Sequence, residues 1–420
     1  MRLASSDNMP VPRRRALPTQ ARYRLVGILV AALTLWAVPT AVAGAHAVPV
    51  VHLPASTKPE GPAISPRSGR PITLALPYKH AVNPTTHEVQ VPAGTTIPTT
   101  LYSTVAGQDG NTYDFSIVGG NFTSGAGVTT VPLDILPVVI TFTPTGDVYD
   151  PTTANSSCGE PVSPLTAVET GPELVPRKWY AGHTYLGHGQ YLDAQLRGEF
   201  WNWTNPSGAS PGFGLNLSVS NPENLTYSID APEENAGTCD NLGEIDLNTF
   251  DAAVQSFLQS WTSTTVPLFV LKNVVLTESN GTICCVGGYH SAFTDSSGNT
   301  QTYAVTSYLT PDVVASSGLG VFDNLAIISH EIAEWVNDPF VNDPTPSWGH
   351  LGQVSGCQAN LEVGDPLTGT LFSVAPPRPG GLTYDLQELV YAGWFYDQNW
   401  GVNGWYSTRG TFTSGASLCS

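Results

Sequence analysis

One stretch of this chain commits it to a helix packed on an apolar surface. From Asp323 to Asp338, the residues Leu325, Ile328, Ile332, Trp335 and Val336 recur at three- and four-residue spacing, the period of an α-helix with a buried stripe. Asp323 suits the helix start. Asp338-Pro339 supplies a stop, because the residue before a proline is driven out of the helical region. A second segment, Leu247 to Trp261, repeats the pattern with Phe250, Val254, Phe257, Leu258 and Trp261, and Asp246 or Asn248 can cap it. Around these helices the chain reads as strands. Residues 101–105, 113–118, 138–142, 266–277 and 299–309 are rich in β-branched and aromatic side chains, and Pro267 marks an edge or a strand start. Glycine (41) and proline (35) are frequent enough in 420 residues to favour short strands and turns over a helical bundle. The expected class is α+β with an antiparallel-rich sheet.

The N-terminus reads as an export signal. Arg13, Arg14, Arg15, Arg22 and Arg24 precede the apolar run Leu25 to Val38, and Ala41-Val42-Ala43 and Ala45-His46-Ala47 offer small-residue cleavage sites. The run falls short of the roughly 20 apolar residues that a membrane-spanning helix needs, and Pro39 closes it. Residues 1–47 are therefore expected to be a secretory signal, 48–75 a Pro/Ser/Gly-rich linker, 76–240 a β-rich part and 241–420 a metal-site part continuous with it. Six cysteines, Cys158, Cys239, Cys284, Cys285, Cys357 and Cys419, all follow the leader. In an exported chain an even count predicts three disulfides. Neighbouring cysteines pair poorly, so Cys284 and Cys285 are each expected to reach elsewhere. The formal net charge of −18 becomes more negative once the arginines of the leader are set aside. Such a surface repels phosphate backbones and anionic lipid, which argues against nucleic-acid partners and against membrane association of the mature chain.

The chemistry concentrates in the first helix. It contains His330-Glu331-Ile332-Ala333-Glu334, an HExxE sequence. His330 and Glu334 lie four apart and project from one face, where they can grip one metal ion, and Glu331 stands beside them where it can take a proton from metal-bound water. Chance delivers roughly 0.01 such motifs in a chain of this composition. A third donor must come from elsewhere, and Glu362-Val363-Gly364-Asp365 follows downstream. One His and two carboxylates place more negative charge on the ion than two His and one carboxylate. Its Lewis acidity falls, and metals other than Zn2+ become acceptable.

Two resemblances meet on these residues. Ser329 to Pro339 resembles the HExxH helix of thermolysin-like gluzincin metallopeptidases, with Glu334 in place of the second His and Asp338 at the offset of the motif's following Asp. More broadly, residues 240–400 resemble plant phosphate-induced (Exordium-like) secreted proteins and their bacterial relatives. The matching pieces are Cys284-Cys285 to His290-Ser291, the HExxE run, Asn337-Asp338-Pro339 with Val341-Asn342, and Glu362 to Asp365. The first resemblance implies a zincin-like catalytic domain, with Glu362 as third ligand and Asp365 accepting from the other nitrogen of His330. The reversed assignment stays open, and His350 and His290 are reserve ligands. The second implies a secreted or cell-wall-associated protein with a metal site.

The expected function is that of a secreted zinc-dependent hydrolase, a metallopeptidase acting on peptide or cell-wall substrates with Glu331 as general base. The alternative is a non-catalytic exported protein that binds cell wall or a receptor and uses its metal to stiffen the fold. An open ligand position distinguishes the first from the second.

Overall fold

Near-continuous apolar runs such as Leu136 to Phe142 and Val266 to Leu271 fit strands covered on both faces, and such strands belong to parallel sheets. The computed structural model builds that sheet. It describes residues 50–52, 87–124, 127–204, 214–220, 225–231, 233–234, 237–261, 264–278, 283–317, 322, 324–376 and 381–420. The proposed leader, most of residues 48–75, and Asp323 lie outside these residues. Contacts join Val48–Ser420 into one compact unit. No helix among the described residues is long and apolar enough to cross a membrane.

The main sheet has eight strands. Its path runs Val50–His52, Leu225–Ile229, Val128–Phe142, Val266–Lys272, Thr300–Tyr308 and Gly288–Thr294. Gly214–Ser220 and Val148–Tyr149 also pair with the fifteen-residue strand Val128–Phe142. All pairings are parallel except those of Gly288–Thr294 and Val148–Tyr149. The expectation of an antiparallel-rich sheet is thus corrected. Parallel strands need long crossovers, and here a helix-bearing segment precedes Val266–Lys272. Val266–Lys272 is central, bonded to Val128–Phe142 on one side and Thr300–Tyr308 on the other, so the edge reading of Pro267 is wrong while the strand-start reading stands. The single strand expected over 266–277 is two strands, Val266–Lys272 and Val274–Glu278, divided at Asn273 with φ of 49°. Val50–His52, placed in the linker by sequence, pairs with Thr226, Tyr227 and Ser228.

Period-two alternation sends successive side chains to opposite faces. Leu268 and Val270 join Ile328, Ile332, Trp335 and Val336 in one core, while Phe269 and Leu271 join Phe250, Val254 and Leu258 in another. The helices Ala326–Asn337 and Leu247–Leu258 therefore cover opposite faces of the sheet. Asp246 caps Leu247–Leu258 by accepting from the Thr249 amide at 3.0 Å. The motif helix is buried at all twelve of its residues, so its polar face is not a solvent face. Trp335 Nε1 donates to Thr302 Oγ1 at 3.0 Å and ties the helix to the sheet. Two helices the sequence did not reveal, Pro164–Thr170 and Tyr191–Glu199, precede the sheet's later strands.

Two carboxyls of this region are deeply buried. Burial pushes Glu173 and Glu199 each up to about 8, and in Glu199 this overrides the hydrogen bond accepted from the Ala392 amide. Glu173 Oε1 has no hydrogen-bond partner. A carboxyl raised on folding contributes stability that is full below its ordinary value near 4.5 and is lost as pH rises toward 8. Glu173→Gln is therefore expected to stabilise the chain at pH 9, by up to about 4 kcal/mol, and to have little effect at pH 4.5. Denaturant unfolding at both pH values checks this, and equal effects at the two would contradict it.

Candidate metal centre

His330 and Glu334 sit one helical turn apart, with His330 Nε2 3.1 Å from Glu334 Oε2. The segment after Asn360 crosses in front of them, and Asp365 Oδ1 lies 3.6 Å from the same nitrogen. The ligand atoms of these three residues lie within 4.8 Å of one another, and each residue is at most 1% exposed. Gly364 permits this approach, because a Cβ there would fall 2.5 Å from the His330 ring. Its amide donates to Glu334 Oε1 at 3.1 Å, which turns Oε2 toward the imidazole.

A residue invisible to spacing arguments orients the histidine. Gln387 Nε2 donates to the Gly364 carbonyl at 2.7 Å, and Gln387 Oε1 lies 3.2 Å from His330 Nδ1. A backbone carbonyl can only accept, so the amide nitrogen must face Gly364 and the amide oxygen must face Nδ1. Nδ1 then carries a proton, and Nε2 is aimed at Glu334 and Asp365. This is the outer-shell bond that fixes a metal-ligating imidazole. The resemblance assigned that task to Asp365. Asp365 instead faces Nε2, accepting from Gln353 and, at 3.1 Å, from Gln358 Nε2. Glu362 is buried nearby and accepts from Asn360 Nδ2 at 2.7 Å, but it is not in the donor group. The 3₁₀ turn begins at Asp365, so Glu362 precedes it and the two acids do not share a helical face.

Glu331 stands next to this group. Both its oxygens are buried without a hydrogen-bond partner. Gly288 makes room for it, since a Cβ there would meet Glu331 Cγ at 2.7 Å. His290, on the antiparallel edge strand, brings Nδ1 to 3.7 Å from Glu334 Oε2 and 3.9 Å from Glu331 Oε2. His350 is elsewhere, exposed on the strand Pro344–Leu351 with Nε2 3.9 Å from Cys357 Sγ. Its role as reserve ligand is withdrawn.

Burial and crowding set the electrostatics. Burial, then the charges of Glu334, Asp365, Asp338 and Glu331, hold Glu362 well above the ordinary carboxyl range. Burial likewise raises Glu331, against the pull of His330. Asp365 is pushed up to about 6 and Asp338 to about 7, again chiefly by burial. Burial opposes a charge on His330, but Glu334 and Asp365 outweigh it and raise its proton affinity well above normal. Burial pushes His290 down to about 4. Glu334 Oε2 and His330 Nε2 remain without an aligned hydrogen bond despite their 3.1 Å separation. Donors bonded tetrahedrally to zinc at 2.0–2.1 Å lie roughly 3.3 Å apart. The two distances at Nε2, 3.1 and 3.6 Å, bracket that value, so the residues fit a divalent ion.

Among the described residues no cysteine is free, as the even count predicts, but the pairing departs from expectation. Cys284 and Cys285 are bonded to each other. Cys357 is bonded to Cys419. Cys239 is also disulfide-bonded, and the side chain of Cys158 lies outside the described residues. No protein-family description, curated protein or solved structure matches this chain.

Proposed function

We propose that this chain is an exported zinc-dependent hydrolase, a metallopeptidase, in which His330, Glu334 and Asp365 hold the ion and Glu331 is the general base. The observation that carries the reading is a set of buried donor atoms, His330 Nε2 and Glu334 Oε2 foremost, that have no hydrogen-bond partner and converge at metal-ligand spacing with Asp365. Without an ion these atoms have only one another, His330 against Glu334 and Asp365, to offset their burial, and a divalent ion would engage all three at once. A bound ion would polarise a scissile carbonyl and acidify water. Gln387 keeps Nε2 available by holding the proton on Nδ1. Glu331 has two oxygens beside the donor group with no hydrogen-bond partner, in position to take a proton from water. The leader features and the disulfides support export into an oxidising compartment.

One observation favours the second reading, a non-catalytic cell-wall or receptor-binding protein with a structural metal: every donor is nearly solvent-free. Metal analysis with a broad peptide-digestion assay separates the two. One tightly held zinc per dialysed chain is expected, with peptide cleavage lost on chelation and restored by Zn2+. A tightly bound ion without cleavage gives the site to the structural reading, and a metal-replete protein that retains no divalent ion defeats both.

A further inference from the structure

The donor group around His330 does not exhaust the site. His290, Glu331 and Glu334 also bring ligand atoms within 4.8 Å of one another, and all three are buried. The two groups share Glu334. We propose that His290, Glu331 and Glu334 form a second, weaker divalent-cation site beside the first, and that filling it switches the centre off by occupying Glu331.

Three atoms of this group, both oxygens of Glu331 and Glu334 Oε2, lack hydrogen-bond partners, and His290 faces them with Nδ1. The three residues come from two independent elements, the motif helix and the edge strand Gly288–Thr294, and Gly288 lets the strand approach Glu331 closely. Glu334 Oε2 lies between the imidazoles, 3.1 Å from His330 Nε2 and 3.7 Å from His290 Nδ1. A carboxylate in that position can bridge two ions, as in two-metal centres with ions roughly 3.5–4 Å apart.

Distances rank the two sites. The separations of 3.7 and 3.9 Å at His290 exceed the roughly 3.3 Å of a tetrahedral zinc shell, whereas those at His330 bracket it. The second group must contract to close on an ion, and two like charges so close repel. The second ion therefore binds more weakly. One imidazole nitrogen with two carboxylates selects borderline ions such as Zn2+ or Co2+ over Mg2+ or Ca2+. The switching half of the proposal rests on the reading of Glu331 as general base, because a carboxylate committed to an ion cannot accept a proton from water.

The test is a zinc titration of the dialysed full chain against a chromophoric chelator, with peptide cleavage followed in parallel. Two ions per chain are expected, the second at least 100-fold weaker, and cleavage should rise with the first and fall at least tenfold as the second fills. His290→Ala and His290→Gln should each bind a single ion with the tight affinity kept within a few-fold. The pair of variants guards against misfolding of either one. One ion in the wild type and in both variants overturns the second site and leaves the single-metal hydrolase standing. Loss of the tight ion in a folded His290→Gln chain places His290 in the first site and also overturns the proposal. Two ions with no cleavage at any zinc level support the second site but overturn both the hydrolase reading and the switch.

Discussion

A Glu331→Gln chain is expected to cleave peptides about 10²–10⁴ times more slowly than wild type while keeping its tight zinc, the usual worth of a positioned general base. The change is nearly isosteric, which matters where Gly288 packs against the Glu331 side chain. It removes the one buried carboxylate beside the donor group whose two oxygens have no partner. The loss should fall on kcat rather than KM, because Glu331 acts on water in the transition state and not on bound peptide. Steady-state kinetics with metal content measured on the same samples checks this. An undiminished kcat with zinc retained would remove Glu331 from the chemistry.

The sequence made the motif helix legible for two reasons. Its apolar stripe has an unambiguous period, and the HExxE letters are rare in a chain with so few charges. The structure runs that helix over Ala326–Asn337. The second helix was read to Trp261 and ends at Leu258, with Asp246 as its cap. Sheet direction was not legible. Residues 266–277 offer no alternation because Val266–Lys272 is buried at every position, and one proline suggested an edge that does not exist. The third donor was ambiguous because Glu362 and Asp365 stand on either side of the start of a short 3₁₀ turn, and only the turn's placement decides which of them meets His330. Gln387 left no trace at all. A neutral amide 57 positions from His330 has neither a charge nor a spacing to mark it, and its role follows from the strand Tyr384–Gln387 lying against the motif helix. The pairing of Cys284 with Cys285 was hidden for another reason, because adjacency in sequence argues against a shared bridge.

Chelation should destabilise the chain, and by much more at pH 8 than at pH 5. Without an ion, the centre keeps Asp365, Asp338, Glu331 and Glu362 neutral by retaining protons, whereas Glu334, which His330 holds below the ordinary carboxyl range against its burial, stays ionised and loses its contribution as pH falls. Asp365, at about 6, and Asp338, at about 7, have folded values above the ordinary carboxyl range, and burial holds Glu331 and Glu362 well above it too. These four groups stabilise the metal-free fold fully below pH ~4 and lose that contribution as pH rises through their folded values. The raised affinity of His330 acts in the same direction, its contribution being present below about 6.5 and lost as pH climbs. His290 acts in the opposite direction. Held neutral, with its value lowered to about 4, it contributes above about 6.5 and loses that contribution as pH falls toward 4, which limits the gain at the acid end. An ion reverses the balance above neutrality, because it binds deprotonated donors and offsets their charge. At a free metal concentration 1,000 times its Kd, binding adds about 4 kcal/mol, which corresponds to a Tm difference on the order of 5 °C in a chain of this size. Thermal unfolding with and without chelator at the two pH values measures the contrast, and re-added Zn2+ should restore it. Equal melting with and without chelator at pH 8 would mean that the acids around His330 are not neutralised by a metal.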